Sequence, residues 1–312
     1  MTQITAFVGI DVSKADFCVF HSKTSEEYTL PNTPAGHHEL VARLGCPRDL
    51  CIALEPTGGC EWALWEALEG ARFDVRQVSA AHVRAFARSL GNLAKTDPLD
   101  ARMIARFIAF RPDTGRRLPA KILRDLNVLT TKRRQLVAMR KRLSCQIKQR
   151  GSQMVGDMDI DLMAQLEAQI EQLGIRIEAL LKSDDALKNR VDILRSIPGI
   201  GPVVSAALIG QMPELGHLGE KQVAALVGLA PINRDSGKYT GHRGIKGGRT
   251  WLRELLYQAA LVASNHNPPL RTFAKRLKAK GKPHKLVLIA VARKLIVMAN
   301  AMLAQNTRWR AA

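Results

Sequence analysis

The sequence lacks the features that mark secreted, zinc-binding or membrane proteins. Its 312 residues include five cysteines, an odd number with no C-x-x-C pair, so neither a disulfide framework nor a zinc signature is present. No apolar run approaches the roughly 18 residues of a membrane helix, and residues 1–5 have no signal-peptide character. We therefore expect a reduced, cytoplasmic protein without a membrane partner, long enough for two or three domains.

Acidic residues are scarce in two stretches of the chain. Residues 116–150 carry 12 Lys/Arg against one Asp/Glu, and residues 232–312 carry 17 against two. Residues 1–115 carry 12 against 14, and residues 151–231 carry 6 against 11. The net charge of +19 therefore lies in two blocks, which predicts a polyanionic partner, by default nucleic acid. Neither block pairs its charge with the Trp/Phe-rich face that favours an anionic membrane.

The first third of the chain has the pattern of an α/β domain. Short apolar runs predict strands at residues 6–11, 16–21, 27–30, 50–55 and 73–78. Helical spacing predicts helices at residues 34–44, 61–68, 80–90 and 98–110. Three early strands followed by strand–helix units indicate a mixed sheet in a domain of residues 1–115.

The remaining chain has a helical pattern. Between residues 116 and 194, apolar residues at three- and four-residue spacing predict two long helices, packed on each other or on a partner chain, with Asp184 as a polar interruption of the second. We expect a basic coiled-coil segment, residues 116–192, and an all-α domain, residues 193–312, in which Gly281-Lys282-Pro283 separates two helices.

Four carboxylates lie at positions where a site can form. Asp11 and Glu55 close apolar strands, and Asp97 and Asp100 share one face at the start of a helix whose first turn contains Pro98. Each has a simpler interpretation as a helix cap or a solvated strand end. Four carboxylates at one sheet edge would repel one another without cations, so together they indicate Mg²⁺ or Mn²⁺ and metal-assisted phosphodiester chemistry.

Three segments resemble a known family. GID (9–11), LEPTG (54–58) and KTDPLDA (95–101) are similar to the D-E-D-D motifs of the RuvC-like branch of the RNase H fold. They resemble more closely the DEDD transposases of bridge-RNA-guided insertion sequences and their relatives, the Piv-type invertases. The resemblance covers nearly the whole chain. It implies an RNase H-like first domain whose metal-binding quartet is Asp11, Glu55, Asp97 and Asp100.

The C-terminal half contains two candidate phosphate-binding segments. SIPGIGPVVSAALIG (196–210) has the pattern of a helix-hairpin-helix, in which Gly199 and Gly201 let the backbone approach a phosphate. The second segment, residues 228–255, is a Gly-rich loop with two hydroxyls that could attack phosphorus, Ser236 and Tyr239. The candidate nucleic-acid contacts are Lys132, Arg133, Arg134, Gly199, Gly201, Lys238, Arg243, Lys246 and Arg249.

The resemblance also implies a function. It implies a DNA transposase or recombinase in which Ser236 joins covalently to a DNA end, a structured RNA guides the reaction, and the chain acts as a homo-oligomer, a dimer or tetramer. Whether one chain or two protomers complete the site stays open. Three alternatives remain. The protein could be a RuvC-like endonuclease in which Ser236 is structural, or a non-catalytic nucleic-acid-binding protein. It could also be an ATPase of the actin-like superfamily, with GIDVSK at the start of its ATPase domain.

Overall fold

The computed structural model describes residues 6–91, 97–149, 154–233, 241 and 243–310, and only the backbone of residues 97 and 98. The chain forms two compact units, Met1–Pro119 and Ala120–Ala312. The first unit contains, in chain order, β1 (Ala6–Val12), β2 (Asp16–His21), β3 (Glu27–Pro31), α1 (Pro34–Leu44), β4 (Leu50–Leu54), α2 (Trp62–Gly70), β5 (Asp74–Gln77), α3 (Ala80–Ser89) and α4 (Asp97–Phe110).

The five strands form one mixed sheet in the order β3-β2-β1-β4-β5. The two hairpin pairs, β1 with β2 and β2 with β3, are antiparallel. The crossover pairs, β1 with β4 and β4 with β5, are parallel, and each has a helix in the connection. This topology confirms the predicted α/β domain with a mixed, RuvC-like sheet.

Helices cover both faces of the sheet. Ala6, Val8, Ile10 and Val12 of β1 point to the face covered by α1 and α2, where Leu40 and Trp65 are buried. The alternate residues face α3 and α4. A Cβ at Gly9 would lie 2.0 Å from the carbonyl oxygen of Ala101 in α4. Glycine at position 9 therefore permits the backbone of α4 to lie directly against β1.

The second unit is mostly helical. Its helices and its short two-stranded ribbon are α5 (Lys121–Gln149), α6 (Gly156–Lys182), α7 (Asp185–Ser196), α8 (Pro202–Gln211), α9 (Glu220–Leu226), β6 (Pro231–Ile232), β7 (Gly244–Ile245), α10 (Thr250–His266), α11 (Pro268–Ala279) and α12 (His284–Ala304). The predicted break at Gly281-Lys282-Pro283 is confirmed, since α11 ends before it and α12 begins after it.

The prediction of a single second long helix is wrong. α6 ends at Lys182, and α7 begins at Asp185. The side chain of Asp184 accepts a hydrogen bond from the backbone N–H of Leu187 at 2.8 Å, so Asp184 is the N-cap of a new helix. Because the apolar spacing continues across this cap, periodicity alone does not indicate the break.

The last helix corrects the expectation that no apolar stretch is as long as a membrane helix. Among the described residues one helix, α12, is long and apolar enough to cross a membrane by length and composition. Half of its apolar stretch is buried inside the protein. Val287, Val291 and Leu295 pack in the core of the helical unit together with residues of α8 and α10. Burial in a protein core therefore accounts for the apolar composition of α12.

Candidate active site and nucleic-acid surface

Two of the predicted carboxylates lie at the ends of neighbouring parallel strands: Asp11 is the last residue but one of β1, and Glu55 directly follows β4. Ile10 of β1 pairs with Leu54 of β4, so Asp11 and Glu55, the next residues, lie at the same level of the sheet. Asp11 is on the same face of β1 as Gly9, the face against which α4 packs. Both side chains are half-buried. The strand register therefore brings Asp11 and Glu55 to one edge of the sheet, beside α4.

The third carboxylate comes from α4. Asp100 precedes Ala101, the residue whose carbonyl oxygen approaches Gly9. Glu55 and Asp100 line one cleft of about 150 Å³, together with Arg84 of α3 and Met103 of α4. The close packing of α4 on β1 thus positions Asp100 next to the strand end that holds Glu55. The guanidinium of Arg84 adds a positive charge to the same cleft.

The fourth carboxylate, Asp97, begins α4, and its side chain lies outside the described residues. Among the side chains that the structure does describe, no group of three His, Cys, Asp or Glu residues is close enough to hold a metal ion. Carboxylate oxygens are nevertheless the ligands that Mg²⁺ and Mn²⁺ prefer. The chemistry of the donors at this edge fits a hard divalent cation, and the complete quartet stays a prediction.

A buried glutamate organises the loop that follows Glu55. Glu61 is 2% exposed, and its Oε2 accepts hydrogen bonds from the backbone N–H groups of Thr57 at 3.2 Å and Gly59 at 2.9 Å. Its Oε1 accepts from Nε2 of Gln77 at 3.0 Å. The hydroxyl of Thr57 donates to the carbonyl oxygen of Glu55 at 3.1 Å. Glu61 therefore fixes the turn that carries Glu55.

Sequence reasoning missed Glu61, which by its pattern is only the first residue of a helix. The network continues to Arg116, whose Nε donates to Oε1 of Gln77 at 2.6 Å. The turn also requires glycine, because Gly58 and Gly59 have φ values of 71° and 113°. A carboxylate two residues after a Gly-Gly pair was the available signal, and its burial depends on distant residues that no local pattern includes.

The strand that leads to Glu55 contains a thiol. Cys51 of β4 is buried, and burial raises the pKa of its thiol to about 11. The thiol is therefore protonated at neutral pH, and Cys51 is a packing residue between β4 and the helices α3 and α4.

In the second unit, α7 and α8 flank the P-G-I-G turn, as the helix-hairpin-helix pattern predicts. Gly199 has a φ of 109°, and a Cβ there would lie 2.7 Å from the Cβ of Ala263, so packing against α10 requires this glycine. Gly201 is the N-cap of α8 without a side-chain hydrogen bond, and the space beside it is open. A phosphate could therefore approach the backbone at Gly201, whereas the backbone at Gly199 is packed against α10.

The Gly-rich loop is bracketed by a ribbon. Pro231 pairs with Ile245 and Ile232 with Gly244, so the two ends of the loop are held together. The predicted site residues Ser236 and Lys238, and the alternative nucleophile Tyr239, lie outside the described residues.

The basic residues after this loop differ in their surroundings. Arg243 and Lys246 are exposed. Arg249 forms an ion pair with Glu214, which lies in the turn after α8. Its guanidinium therefore already has an intramolecular partner, whereas Arg243 and Lys246 are accessible to phosphate.

The predicted contacts on α5 point in different directions. Lys132, Arg133 and Arg134 are consecutive, and at 3.6 residues per turn they span roughly 200° of the helix. Lys132 and Arg134 are exposed, whereas Arg133 is half-buried. The guanidinium carbon of Arg134 lies 5.1 Å from the ring centroid of Trp251 in α10. These three side chains therefore do not form a single flat phosphate-binding face.

Comparison with known proteins decides the family. Residues 8–150 match the DEDD transposase model of the IS110 type, described as a transposase, and residues 191–275 match the "Transposase IS116/IS110/IS902 family". The chain belongs to the IS110/IS116 family of transposases. The transposase is thus an enzyme that cuts and rejoins DNA, and its DEDD domain indicates dependence on a divalent metal.

Individual relatives cover different parts of the transposase. The pilin gene-inverting proteins of Moraxella bovis and Moraxella lacunata are 28% and 29% identical to it, over 96% of each chain. The insertion element IS116 44.8 kDa protein of Streptomyces clavuligerus is 32% identical over 50% of this chain and 38% of its own length. The first family match includes all four predicted carboxylates, and the second includes the P-G-I-G turn and Ser236.

Proposed function

We propose that this transposase exchanges DNA strands through a covalent serine–DNA intermediate, with Asp11, Glu55, Asp97 and Asp100 holding Mg²⁺ or Mn²⁺ and Ser236 acting as nucleophile. A structured RNA guides the choice of site, and the protein acts as a homo-oligomer in the cytoplasm, at the nucleoid. The two relatives that align over nearly their whole length are named for inverting a pilin gene, which supports a site-specific DNA rearrangement.

One arrangement supports this proposal most directly. Asp11 and Glu55 lie side by side at the ends of parallel strands, and Asp100 lines the same cleft as Glu55. Four carboxylates at one edge repel one another without a cation, which makes the edge a good site for a divalent metal. A bound divalent cation would polarise the scissile phosphodiester and favour the ionised form of an attacking hydroxyl. The four carboxylates would hold and orient this cation. Glu61 fixes the turn that follows Glu55.

Ser236 accounts for the retention of bond energy during strand exchange. Its Oγ forms a bond to phosphorus while the bond from phosphorus to the sugar oxygen of one strand breaks, and that oxygen leaves as a hydroxyl. The hydroxyl of a second strand then attacks the phosphoserine ester and restores Ser236. A serine hydroxyl has a pKa far above neutrality, so the reaction needs the carboxylate centre for activation.

Nucleic-acid affinity comes from the second unit. Residues 1–119 carry 14 Lys/Arg against 14 Asp/Glu, whereas residues 120–312 carry 33 against 14. The exposed side chains of Arg243 and Lys246 and the open turn at Gly201 are suited to phosphates of DNA or RNA. Guidance by RNA rests on the family resemblance, and the excess of positive charge is compatible with a second nucleic-acid strand.

The test of this proposal is the covalent adduct. Incubated with Mg²⁺ and a plasmid that carries its reading frame and native flanking DNA, plus RNA transcribed from those flanks, the wild-type protein is expected to yield a DNA–protein adduct resistant to SDS. Ser236→Ala is expected to give neither adduct nor recombinant, while Tyr239→Phe, the control hydroxyl three residues away, keeps both.

Two results would change the mechanism. DNA attached to Tyr239 in a mass spectrum would replace Ser236 as the nucleophile and leave the recombinase proposal intact. Cutting and rejoining at the wild-type rate by Ser236→Ala would end the covalent-serine mechanism and favour hydrolysis by a RuvC-like nuclease.

A further inference from the structure

The second unit contains a cavity that the proposed cleavage chemistry does not use. It has a volume of about 270 Å³ and lies between α5, α6 and the first turns of α8 and α10. Ile177 and Leu255 contribute apolar surface, and Val203, at the start of α8, is 41% exposed beside it. A pocket that is apolar in its walls and open to solvent is suited to a flat, partly apolar ligand.

One wall of this cavity combines an aromatic ring with two cations. Trp251 lines the cavity, and the guanidinium carbon of Arg134 is 5.1 Å from the ring centroid. This distance is within the roughly 6 Å range of a cation–π contact. Arg133, the neighbouring residue of α5, lines the same cavity. The ring and the guanidinium groups together present stacking surface and positive charge to a ligand.

The electrostatics of the cavity favour an anion. Glu178 also lines it, but Nη1 and Nη2 of Arg195 donate to the two oxygens of Glu178, which neutralises that charge. α8 begins at the cavity with Pro202, after an N-cap without a side-chain hydrogen bond, and α10 begins one residue before Trp251. The positive ends of two helices therefore add to the charges of Arg133 and Arg134.

We propose that this cavity binds one unpaired nucleotide, with its base stacked on Trp251 and its phosphate contacted by Arg133 or the first turn of α8. Every base has a flat π-face that stacks on an aromatic ring, and every nucleotide carries the anion that these cations attract. A base within a duplex is stacked on its neighbours and cannot enter. The cavity thus distinguishes an unpaired base in DNA or RNA from a paired one, independently of Ser236 and of metal.

The test uses the full-length protein in EDTA, so that cleavage chemistry does not contribute. The probe is a hairpin oligonucleotide with 2-aminopurine either as a single unpaired bulge or in a base pair, prepared as DNA and as RNA. Wild-type protein is expected to bind the bulged hairpin about tenfold more tightly than the paired one, in the range that base–aromatic stacking gives. The fluorescence of 2-aminopurine in the bulged hairpin is expected to be quenched on binding, because the base stacks on Trp251. A preference in the DNA or in the RNA series identifies the strand that supplies the base.

Matched variants separate the cavity from general affinity. Trp251→Leu and Arg134→Gln are expected to lose the preference for the bulge, and Trp251→Phe to keep most of it. Trp309→Leu, a partly buried tryptophan of the same unit outside the cavity, and Arg142→Gln, an exposed cation further along α5, are expected to retain it. Equal binding of bulged and paired hairpins by wild type, or an intact preference in Trp251→Leu or in Arg134→Gln, would overturn the proposal.

Discussion

At the scale of single residues, Glu61 has the clearest consequence for the site. It is a buried acid outside the proposed metal-binding quartet, and it holds the turn between Glu55 and α2 through two backbone N–H groups. A carboxylate can accept from Thr57, Gly59 and Gln77 at the same time because both of its oxygens are acceptors. An amide has only one acceptor oxygen and cannot.

Glu61→Gln is therefore expected to reduce the free energy of unfolding by about 1–3 kcal/mol, since a buried donor loses its acceptor. It is also expected to raise the Mg²⁺ concentration needed for half-maximal DNA cleavage, because the turn that positions Glu55 loosens. Urea unfolding and a Mg²⁺ titration measure the two effects. Glu66→Gln, an exposed residue of the same helix, is the control. A Mg²⁺ requirement equal to that of wild type would leave Glu61 a purely structural residue.

The strand-end carboxylates illustrate what single residues reveal before a structure is known. Asp11 and Glu55 each end an apolar run, so the sequence predicts that they can converge at one edge of the sheet. The parallel pairing of β1 with β4 places them there. Gly9 belongs to the same GID motif as Asp11, but the motif does not explain it. The reason for glycine there is the backbone of α4 at 2.0 Å from the position of a Cβ, across about 90 residues of sequence.

At the scale of elements, α5 is the most informative helix. Its basic residues do not share one face: Arg133 and Arg134 line the cavity with Trp251, whereas Lys132 and Arg142 are exposed outside it. If nucleic acid binds along this helix as proposed, exposed cations such as Lys132 contact phosphates outside the cavity. Such contacts release counterions and make affinity depend on salt.

We expect neutralisation of three cations of α5 to flatten this salt dependence. The slope of log K against log salt is expected to fall by about 0.9 for each phosphate that the variant no longer neutralises, measured by titration of labelled DNA from low to high salt. The variant combines Lys132→Gln, Arg133→Gln and Arg134→Gln. The control removes three cations from α6 and α7, where acids are frequent: Arg176→Gln, Lys182→Gln and Lys188→Gln. Equal slopes for wild type and the α5 variant would mean that α5 is only solvated.

The elements are predictable where the local pattern is strong. The five strands and four helices of the first unit follow from apolar alternation and helical spacing. The break between α6 and α7 does not, because an N-cap at Asp184 interrupts the backbone without interrupting the apolar spacing. The β6–β7 ribbon has no sequence signal either, because two residue pairs are too few to give a periodicity.

At the scale of the whole molecule, net charge is distributed unequally between the two units. The first unit, which holds the carboxylates, is neutral by count, and the second carries the entire net charge of +19. Because it is neutral, the first unit contributes little to the salt-dependent affinity for a polyanion. Replacement of one of the proposed metal-binding carboxylates is therefore expected to leave nucleic-acid binding almost unchanged.

The most direct measurement is strand exchange and DNA affinity of Asp11→Asn, compared with Asp113→Asn, an exposed carboxylate of the same unit. Recombinants are counted from a plasmid with the native flanking DNA, and affinity is measured with labelled DNA. Asp11→Asn is expected to yield no recombinants and to bind DNA with the affinity of the wild type. Asp113→Asn is expected to behave as wild type in both measurements. Recombination by Asp11→Asn at the wild-type rate would contradict the assignment of catalysis to the carboxylate edge.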